Sequence, residues 1–184
     1  MNKLVVVTGG ARSGKSSFGE AQFNSQETIL YIATAQAFDE EMKERIRRHR
    51  NQRPSHWLTL EAYRGFPEGL KDISQEVSGL LLDCITLMVT NILLESNLGW
   101  DTASIDELNA IEAKVMEEIK ALICYIRQLP IKSVLVTNEL GWGLVPDYPL
   151  GRIFRDIAGR VNQYIAAEAD EVYLVACGIP VKLK

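Results

Sequence analysis

The chain has 184 residues, of which 47% are hydrophobic, so it can bury a core and its size suits a single domain over residues 1–184. Its apolar stretches are shorter than a membrane span needs and residues 1–8 lack a basic, then apolar leader, so we expect a soluble, cytoplasmic protein without stable membrane insertion. A net charge of −4 argues against nonspecific nucleic-acid binding, and three widely spaced cysteines, Cys84, Cys124 and Cys177, favour reduced core residues over a disulfide framework or a zinc site.

The first predicted strand, residues 4–8, leads into a glycine-rich segment, residues 9–16. This segment matches the phosphate-binding pattern G-x-x-x-x-G-K-[ST], known as a P-loop. Two glycines allow a tight turn whose N–H groups face phosphate oxygens, Lys15 reaches the β- and γ-phosphates, and Ser16 can hold Mg²⁺. A helix predicted over residues 17–23 adds its N-terminal N–H groups. The segment predicts a nucleoside triphosphate site; the alternative is a glycine turn that binds nothing. Its residues are Gly9, Gly10, Ala11, Arg12, Ser13, Gly14, Lys15 and Ser16.

A basic helix is predicted after the strand at residues 28–33 and a short loop, with Asp39 as its cap. Met42, Ile46 and His49 are spaced four and three apart, so His49 lies on the side that faces the protein body. Neighbouring arginines disfavour imidazolium and would keep His49 in the neutral form that a nucleophile requires. The alternative is that His49 packs beneath a solvated basic face. The arginines are Arg45, Arg47, Arg48, Arg50 and Arg53.

Two carboxylates follow apolar segments further along the chain. Asp83 ends the strand predicted at residues 79–82, where a P-loop protein keeps its Walker B acid, and it would share the Mg²⁺ with Ser16. An ordinary Asp that caps the next helix is the alternative. Glu61 is locally an unremarkable solvated carboxylate, and we expect His56 to be structural or at the surface.

A loop at residues 138–146 follows the strand predicted at residues 134–137. Loops at the carboxyl ends of parallel strands line the ligand crevice of doubly wound sheets. Its two glycines and Trp142 suit a mobile wall over a large substrate, although Trp142 could equally be a core residue or an oligomer contact.

Alternating strand and helix patterns predict an α/β fold with a mostly parallel sheet covered by helices. One long helix begins after Ser104, with Glu107 completing a capping box, and a second amphipathic helix covers residues 150–168. The strand at residues 171–176 is followed by a break, so residues 181–184 are predicted to return as an antiparallel edge strand. The long helix carries an apolar stripe of Ile105, Leu108, Ile111, Val115, Ile119, Leu122, Ile126 and Leu129.

Taken together, six stretches resemble the bifunctional adenosylcobinamide kinase/adenosylcobinamide-phosphate guanylyltransferase family of the cobalamin pathway. The resemblance runs over essentially the whole chain, and these stretches in this order are far more specific than a P-loop alone. They are residues 8–16, 31–35, 39–54, 83–91, 137–146 and 154–163.

The resemblance implies two reactions. The first transfers a γ-phosphoryl group from ATP or GTP to the aminopropanol hydroxyl of adenosylcobinamide. In the second, His49 attacks the α-phosphorus of GTP, and the resulting guanylyl-histidine is attacked by adenosylcobinamide phosphate, giving adenosylcobinamide-GDP. Mg²⁺, a RecA-like P-loop fold and a homotrimer are also implied. By position, the family's nucleotide contacts fall on the P-loop residues and on Thr34, Ala35, Gln36, Arg50, Asn51, Gln52, Arg53, Glu61 and Asp83.

Three other interpretations compete with this one. A single-function P-loop kinase would leave His49 inert. A P-loop nucleotide switch would be expected to carry the guanine-reading N-K-x-D motif, which residues 137–140 do not match. A basic helix that binds nucleic acid predicts an affinity that falls steeply with salt.

Overall fold

A computed structural model describes residues 2–36, 40, 43–44, 47, 50, 53–66 and 77–184. Within these ranges, seven strands form one sheet in the order β3-β2-β4-β5-β1-β6-β7, parallel throughout except for the β6–β7 pair. The strands are β1 (Lys3–Thr8), β2 (Ile29–Ala33), β3 (Leu58–Glu61), β4 (Gly79–Asp83), β5 (Lys132–Val136), β6 (Glu171–Ala176) and β7 (Ile179–Lys182). The helices that lie wholly within the described residues are α1 (Lys15–Glu20), α2 (Ile85–Glu95), α3 (Ile105–Gln128) and α4 (Pro149–Glu168).

The central strands are apolar without interruption because both faces of the sheet are covered. Along β1, Leu4 and Val6 join the cluster under α2, α3 and α4, whereas Val5 and Val7 join the cluster on the α1 face. The predicted α/β fold with a mostly parallel sheet is confirmed. Among the described residues, no helix is long and apolar enough to cross a bilayer.

The long helix begins as predicted. The Ser104 hydroxyl accepts from the Glu107 N–H, and the Glu107 carboxylate accepts from the Ser104 N–H, which is the capping box. Its stripe is buried from Ile111 to Ile126, but Ile105 is 76% exposed. Including Ile105 in the buried face was wrong, because residues 104–107, the first turn of α3, are all exposed.

The antiparallel C-terminal strand is also confirmed, although it begins two residues earlier than predicted, at Ile179. Its hairpin turn places Cys177 and Gly178 at positive φ, 53° and 80°, as a two-residue turn between twisted strands requires. Cys177 is therefore exposed on a turn, and Cys124 is exposed on α3. The prediction of core positions was wrong for both and holds for Cys84, which is buried; all three are free thiols.

Candidate functional site

The glycine-rich segment lies between β1 and α1, at the carboxyl edge of the sheet. A Cβ on Gly9 would stand 2.4 Å from the Val175 carbonyl oxygen and 2.6 Å from Ser13 Oγ, so only glycine fits there. Gly14 has φ of 93°, a conformation that side chains disfavour. The tight turn expected from the spacing is therefore present, and its shape depends on two of the motif's glycines.

Hydrogen bonds hold the loop on both sides. The Gly178 N–H in the β6–β7 turn donates to the Ser13 carbonyl at 2.8 Å, and the Glu139 N–H after β5 donates to the Gly9 carbonyl at 3.0 Å. The Lys15 ammonium group donates to the Gly10 carbonyl at 3.1 Å and is mostly buried. The cation is thus kept against the loop, close to where the loop N–H groups would receive phosphate oxygens.

Asp83 stands at the end of β4, in register with Ala33 of β2. The Tyr31 hydroxyl donates to Asp83 Oδ2 at 2.9 Å. The N-cap of α2 is Cys84, without a side-chain capping bond, so the alternative that Asp83 merely caps this helix is wrong. Its carboxylate is instead presented at the sheet edge.

Thr34 connects the ends of β2 and β4. Its hydroxyl donates to the Cys84 carbonyl at 2.7 Å and accepts from the Cys84 N–H at 2.8 Å. The Asn91 amide of α2 donates to the Thr34 carbonyl at 2.7 Å. All three residues are buried, so polar groups without hydrogen-bond partners here would lower the stability of the fold. These bonds satisfy them and hold in place the strand end that carries Asp83.

Side chains of opposite charge act on Tyr31, the residue that contacts this carboxylate. Burial is the main cause of a raised pKa for Tyr31, and the charge of Asp83 is the second. The phenol therefore stays protonated and can donate its hydrogen bond. Burial and Asp83 also raise the pKa of Glu20 on α1, against the lowering effect of Arg53. The Arg53 guanidinium lies 3.3 Å from the centroid of the Tyr31 ring. An arginine predicted to contact nucleotide is therefore stacked beside the strand-end acid.

The residues at this edge fit a magnesium ion. A serine hydroxyl and one carboxylate, Ser16 and Asp83, are oxygen ligands of the kind that Mg²⁺ takes alongside phosphate oxygens and water. Among the described residues, no group of three or more His, Cys, Asp or Glu side chains could form an all-protein cage. An ion here would consequently depend on phosphate oxygens of the nucleotide and on water for its remaining ligands.

A cavity of about 430 Å³ opens at the ends of β2 and β3. It brings together Thr34, Ala35, Gln36 and Glu61, four of the residues predicted to contact nucleotide. Glu61 reaches this position because β3 pairs with β2, which puts Glu61 in register with Ala33.

Three further residues line this cavity, and none of them was predicted from the sequence. They are Ala62, Tyr63 and Arg64, and Arg64 forms a 2.6 Å ion pair with Glu95 of α2. The strand that precedes them, β3, was missed as well. Its signal was the alternation of Leu58 and Leu60 with polar residues, which four residues at a sheet edge show only weakly.

A second cavity, of about 320 Å³, lies between the loop after β5 and α4. It is lined by Glu139, Leu140 and Gly141 of the loop and by Arg155, Gly159 and Gln163 among the helix residues. Trp142, the next residue of the loop, is 75% exposed, so the interpretation of Trp142 as a core residue is wrong.

Several residues singled out in the sequence are not part of the arrangement described above. His49, Asn51 and Gln52 lie outside the described residues, as does Asp39, the predicted helix cap. Arg50 is described and exposed, and its carbonyl accepts from the Arg53 N–H at 3.4 Å. His56 is at the surface, as expected, with Nε2 3.1 Å from the Glu27 carbonyl oxygen.

The family model and the sequence relatives agree on one family. Residues 5–183 match the family model described as cobinamide kinase / cobinamide phosphate guanyltransferase. The chain is 47% identical over 181 residues to the bifunctional adenosylcobalamin biosynthesis protein CobU of Escherichia coli, covering 98% of this chain and 99% of that protein. It is 38% identical over 180 residues to the bifunctional adenosylcobalamin biosynthesis protein CobP of Pseudomonas aeruginosa, covering 97% and 96%. Among solved structures, it is similar to a KaiC-like protein from Pyrococcus horikoshii, with a TM-score of 0.49 and 14% identity over 94% of this chain and 70% of that one.

Proposed function

The chain belongs to the cobinamide kinase / cobinamide phosphate guanyltransferase family, and we propose that both reactions use the single carboxyl edge formed by the P-loop, Asp83 and the β2–β3 cavity. The protein is an enzyme of adenosylcobalamin biosynthesis with kinase and guanylyltransferase activities. The observation that carries the proposal is that the strand-end acid Asp83 and the arginine Arg53 share one neighbour, Tyr31, at the sheet edge where the P-loop holds Lys15. Lys15 is held to the P-loop, while Tyr31 contacts both Asp83 and Arg53.

In the kinase reaction, the P-loop N–H groups and Lys15 hold the β- and γ-phosphates of ATP or GTP. The adenosylcobinamide hydroxyl attacks the γ-phosphorus and its proton passes to solvent. The bond between the γ-phosphorus and the oxygen that bridges to the β-phosphate breaks, which releases the nucleoside diphosphate. A Mg²⁺ ion on Ser16 and Asp83 would neutralise charge on the phosphate oxygens when it is bound. The protein's part is positioning and electrostatic stabilisation.

In the guanylyltransferase reaction, a neutral ring nitrogen of His49 attacks the α-phosphorus of GTP. A nitrogen–phosphorus bond forms, the bond to the β-phosphate oxygen breaks, and pyrophosphate leaves. A phosphate oxygen of adenosylcobinamide phosphate then displaces His49 and gives adenosylcobinamide-GDP. Covalent catalysis divides one displacement into two, and Arg53 supplies positive charge at the phosphate site. His49 is assigned by its place in the family's motif.

The nucleotide contacts that we propose are the P-loop, Thr34, Ala35, Gln36, Arg50, Asn51, Gln52, Arg53, Glu61 and Asp83. The β2–β3 cavity supports this set because four of these residues line one space next to Asp83 in the strand order. We also propose that the enzyme is a homotrimer that takes adenosylcobinamide and its phosphate. Sedimentation equilibrium of the full chain tests the assembly directly.

Labelled GTP tests the covalent step. With label at the α-phosphate, the parent protein should retain an acid-labile, alkali-stable adduct, and γ-labelled GTP should leave none. His49→Ala should abolish the adduct, whereas His56→Ala is the matched control and should keep it, because His56 contacts the Glu27 carbonyl at the surface. An adduct that survives His49→Ala, or no adduct in the parent, would refute the guanylyl-histidine.

A further inference from the structure

The second cavity adjoins the phosphate site on the side away from the first. In the strand order, the β2–β3 cavity lies on one side of β4 and its Asp83, and β5 lies on the other, next to β1 and the P-loop. The Glu139 N–H, at the rim of the second cavity, donates to the Gly9 carbonyl at 3.0 Å. A molecule in this cavity would therefore reach the P-loop without crossing the β2–β3 cavity.

The wall of this cavity is fixed by hydrogen bonds. The Thr137 hydroxyl donates to Asn162 Oδ1 at 2.7 Å, and Asn162 Nδ2 donates to the Asn138 carbonyl at 2.9 Å. The Asn138 N–H donates to the Thr86 hydroxyl at 2.7 Å. These bonds tie the start of the loop to α2 and α4, so the cavity has a preformed floor.

Polar groups line the second cavity, and apolar side chains lie exposed beside it. The exposed amide of Gln163 and the guanidinium of Arg155 offer donors inside the cavity. Directly after Gly141, the loop exposes Trp142 by 75%, Leu144 by 96% and Val145 by 62%. An exposed apolar run beside a polar cavity is typical of a binding surface. It suits a ligand with a broad apolar face and hydrogen-bonding groups at its edge.

We infer that this cavity and the adjoining loop bind the corrinoid substrate. The inference rests on the proposed function, because it takes cobinamide as the phosphoryl acceptor. A corrin ring is a wide plate with largely apolar faces and amide side chains around its edge. A space of about 320 Å³ is smaller than this plate, so the ring lies against Trp142 and its neighbours and the aminopropanol arm enters the cavity towards the P-loop.

Gly159 of α4 provides a direct way to fill the cavity. A Cβ at Gly159 would meet nothing within 4 Å, so Gly159→Leu adds volume to open space and replaces a helical glycine by a better helix former. Ala167→Leu is the matched control, since it adds the same side chain at an exposed position of the same helix, two turns towards the other edge of the sheet.

The experiment measures binding of adenosylcobinamide and of GTP to both variants and the parent by calorimetry, with light scattering to follow assembly. Gly159→Leu should weaken adenosylcobinamide binding by about tenfold or more and leave GTP binding within about twofold, while Ala167→Leu changes neither. Corrinoids absorb where tryptophan emits, so adenosylcobinamide should quench the parent's fluorescence, and Trp142→Phe should remove most of that quenching although Trp57 and Trp100 remain.

Unchanged adenosylcobinamide binding in Gly159→Leu would overturn this site while leaving the proposed function intact. A change of molecular mass in Gly159→Leu or Trp142→Phe, with corrinoid binding lost only in the dissociated form, would also overturn it and would assign the face to contacts between copies of the chain. A parent that binds GTP and forms the α-phosphate adduct but shows no affinity for adenosylcobinamide refutes the acceptor itself. The failure of the site and that of the function are thereby distinguished.

Discussion

The phenol of Tyr31 donates a 2.9 Å hydrogen bond to Oδ2 of Asp83, although the two residues are 52 positions apart in the chain. Adjacent parallel strands bring them together, since β2 and β4 end at the same edge of the sheet. The Tyr31 ring is 2% exposed, and its outer face carries the Arg53 guanidinium at 3.3 Å. One buried aromatic side chain therefore orients the strand-end carboxylate and supports an arginine at the same time.

Tyr31→Phe separates these two contacts, because phenylalanine keeps the ring under Arg53 and removes the hydrogen bond to Asp83. A hydrogen bond to a charged group contributes about 1.5–3 kcal/mol, so we expect the Mg²⁺ concentration for half-maximal kinase rate to rise by about tenfold. Mn²⁺ binding in the presence of GTP, followed by electron paramagnetic resonance, should weaken in parallel. Tyr173→Phe is the control, since Tyr173 donates to the Glu171 carboxylate at 3.1 Å, away from this edge. Equal metal dependence in both variants would contradict the role of Tyr31.

Gly9→Ala should damage the P-loop, whereas Gly10→Ala should not. A Cβ at Gly9 meets the Val175 carbonyl oxygen at 2.4 Å, but a Cβ at Gly10 meets nothing within 4 Å. We expect Gly9→Ala to lower the free energy of unfolding by about 1–3 kcal/mol, because backbone must shift, and to weaken GTP binding with it. Urea unfolding and calorimetric GTP titration of the two variants check this. Similar losses in both would show that the contact at Gly9 is not the cause.

The three cysteines should differ in reactivity. Burial chiefly raises the pKa of Cys84 to about 11, so its reactive thiolate is scarce at neutral pH, whereas Cys124 and Cys177 are exposed. Titration of the native protein with a thiol-specific disulfide reagent at pH 8 should give two fast equivalents, and the third should react only after unfolding. Cys177→Ser should leave one fast equivalent. Three fast equivalents in the native parent would contradict the buried position of Cys84.

Acid stability should depend on Glu171, at the start of β6. Hydrogen bonds from Lys182 and Lys3 lower the pKa of Glu171 to about 2 from 4.5, with ion-pair distances of 2.7 and 3.0 Å. A carboxyl whose folded pKa is depressed stabilises the fold above its unfolded pKa, and this contribution is lost as pH falls through the folded value. The stability difference between parent and Glu171→Gln should therefore be constant above about pH 5 and shrink between pH 4.5 and 2.

Denaturant unfolding at several pH values measures this difference. Glu117→Gln, at an exposed position of α3, is the control and should show little dependence of the difference on pH. A difference between parent and Glu171→Gln that grows as the pH falls would have the wrong sign for a depressed carboxyl.

Features that depend on neighbouring residues were predictable. The P-loop turn follows from glycines at fixed spacing, and the start of α3 follows from Ser104 and Glu107, which bond to each other's backbone. The continuous apolar runs predicted five of the seven strands and the parallel sheet, because strands covered on both faces have no polar side to interrupt them. The roles assigned to His49, Asn51 and Gln52 stay predictions.

Features that depend on distant residues were missed or left open. β3 has only four residues at the edge of the sheet, too few for a period of two to stand out, and without it Glu61 had no reason to be near Thr34. Tyr31 was part of an apolar strand, and its sequence neighbours do not indicate that its hydroxyl meets a carboxylate. Trp142 could be placed either inside or outside until its loop was seen to lie on the surface.

Residues 9–16 were enough to predict a triphosphate site, because a P-loop is made by the backbone of one short segment and its own side chains. The surroundings of the predicted site come from segments far apart in the sequence, and the strand order determines which of them are neighbours. Asp83 lies between a cavity at β2–β3 and a cavity at β5–α4 because β4 is inserted between strands distant from it in the chain. A short sequence pattern predicts the chemistry of its own segment. Which segments become neighbours depends instead on which strands pair, and strand pairing is determined by the burial of apolar side chains over the whole sheet.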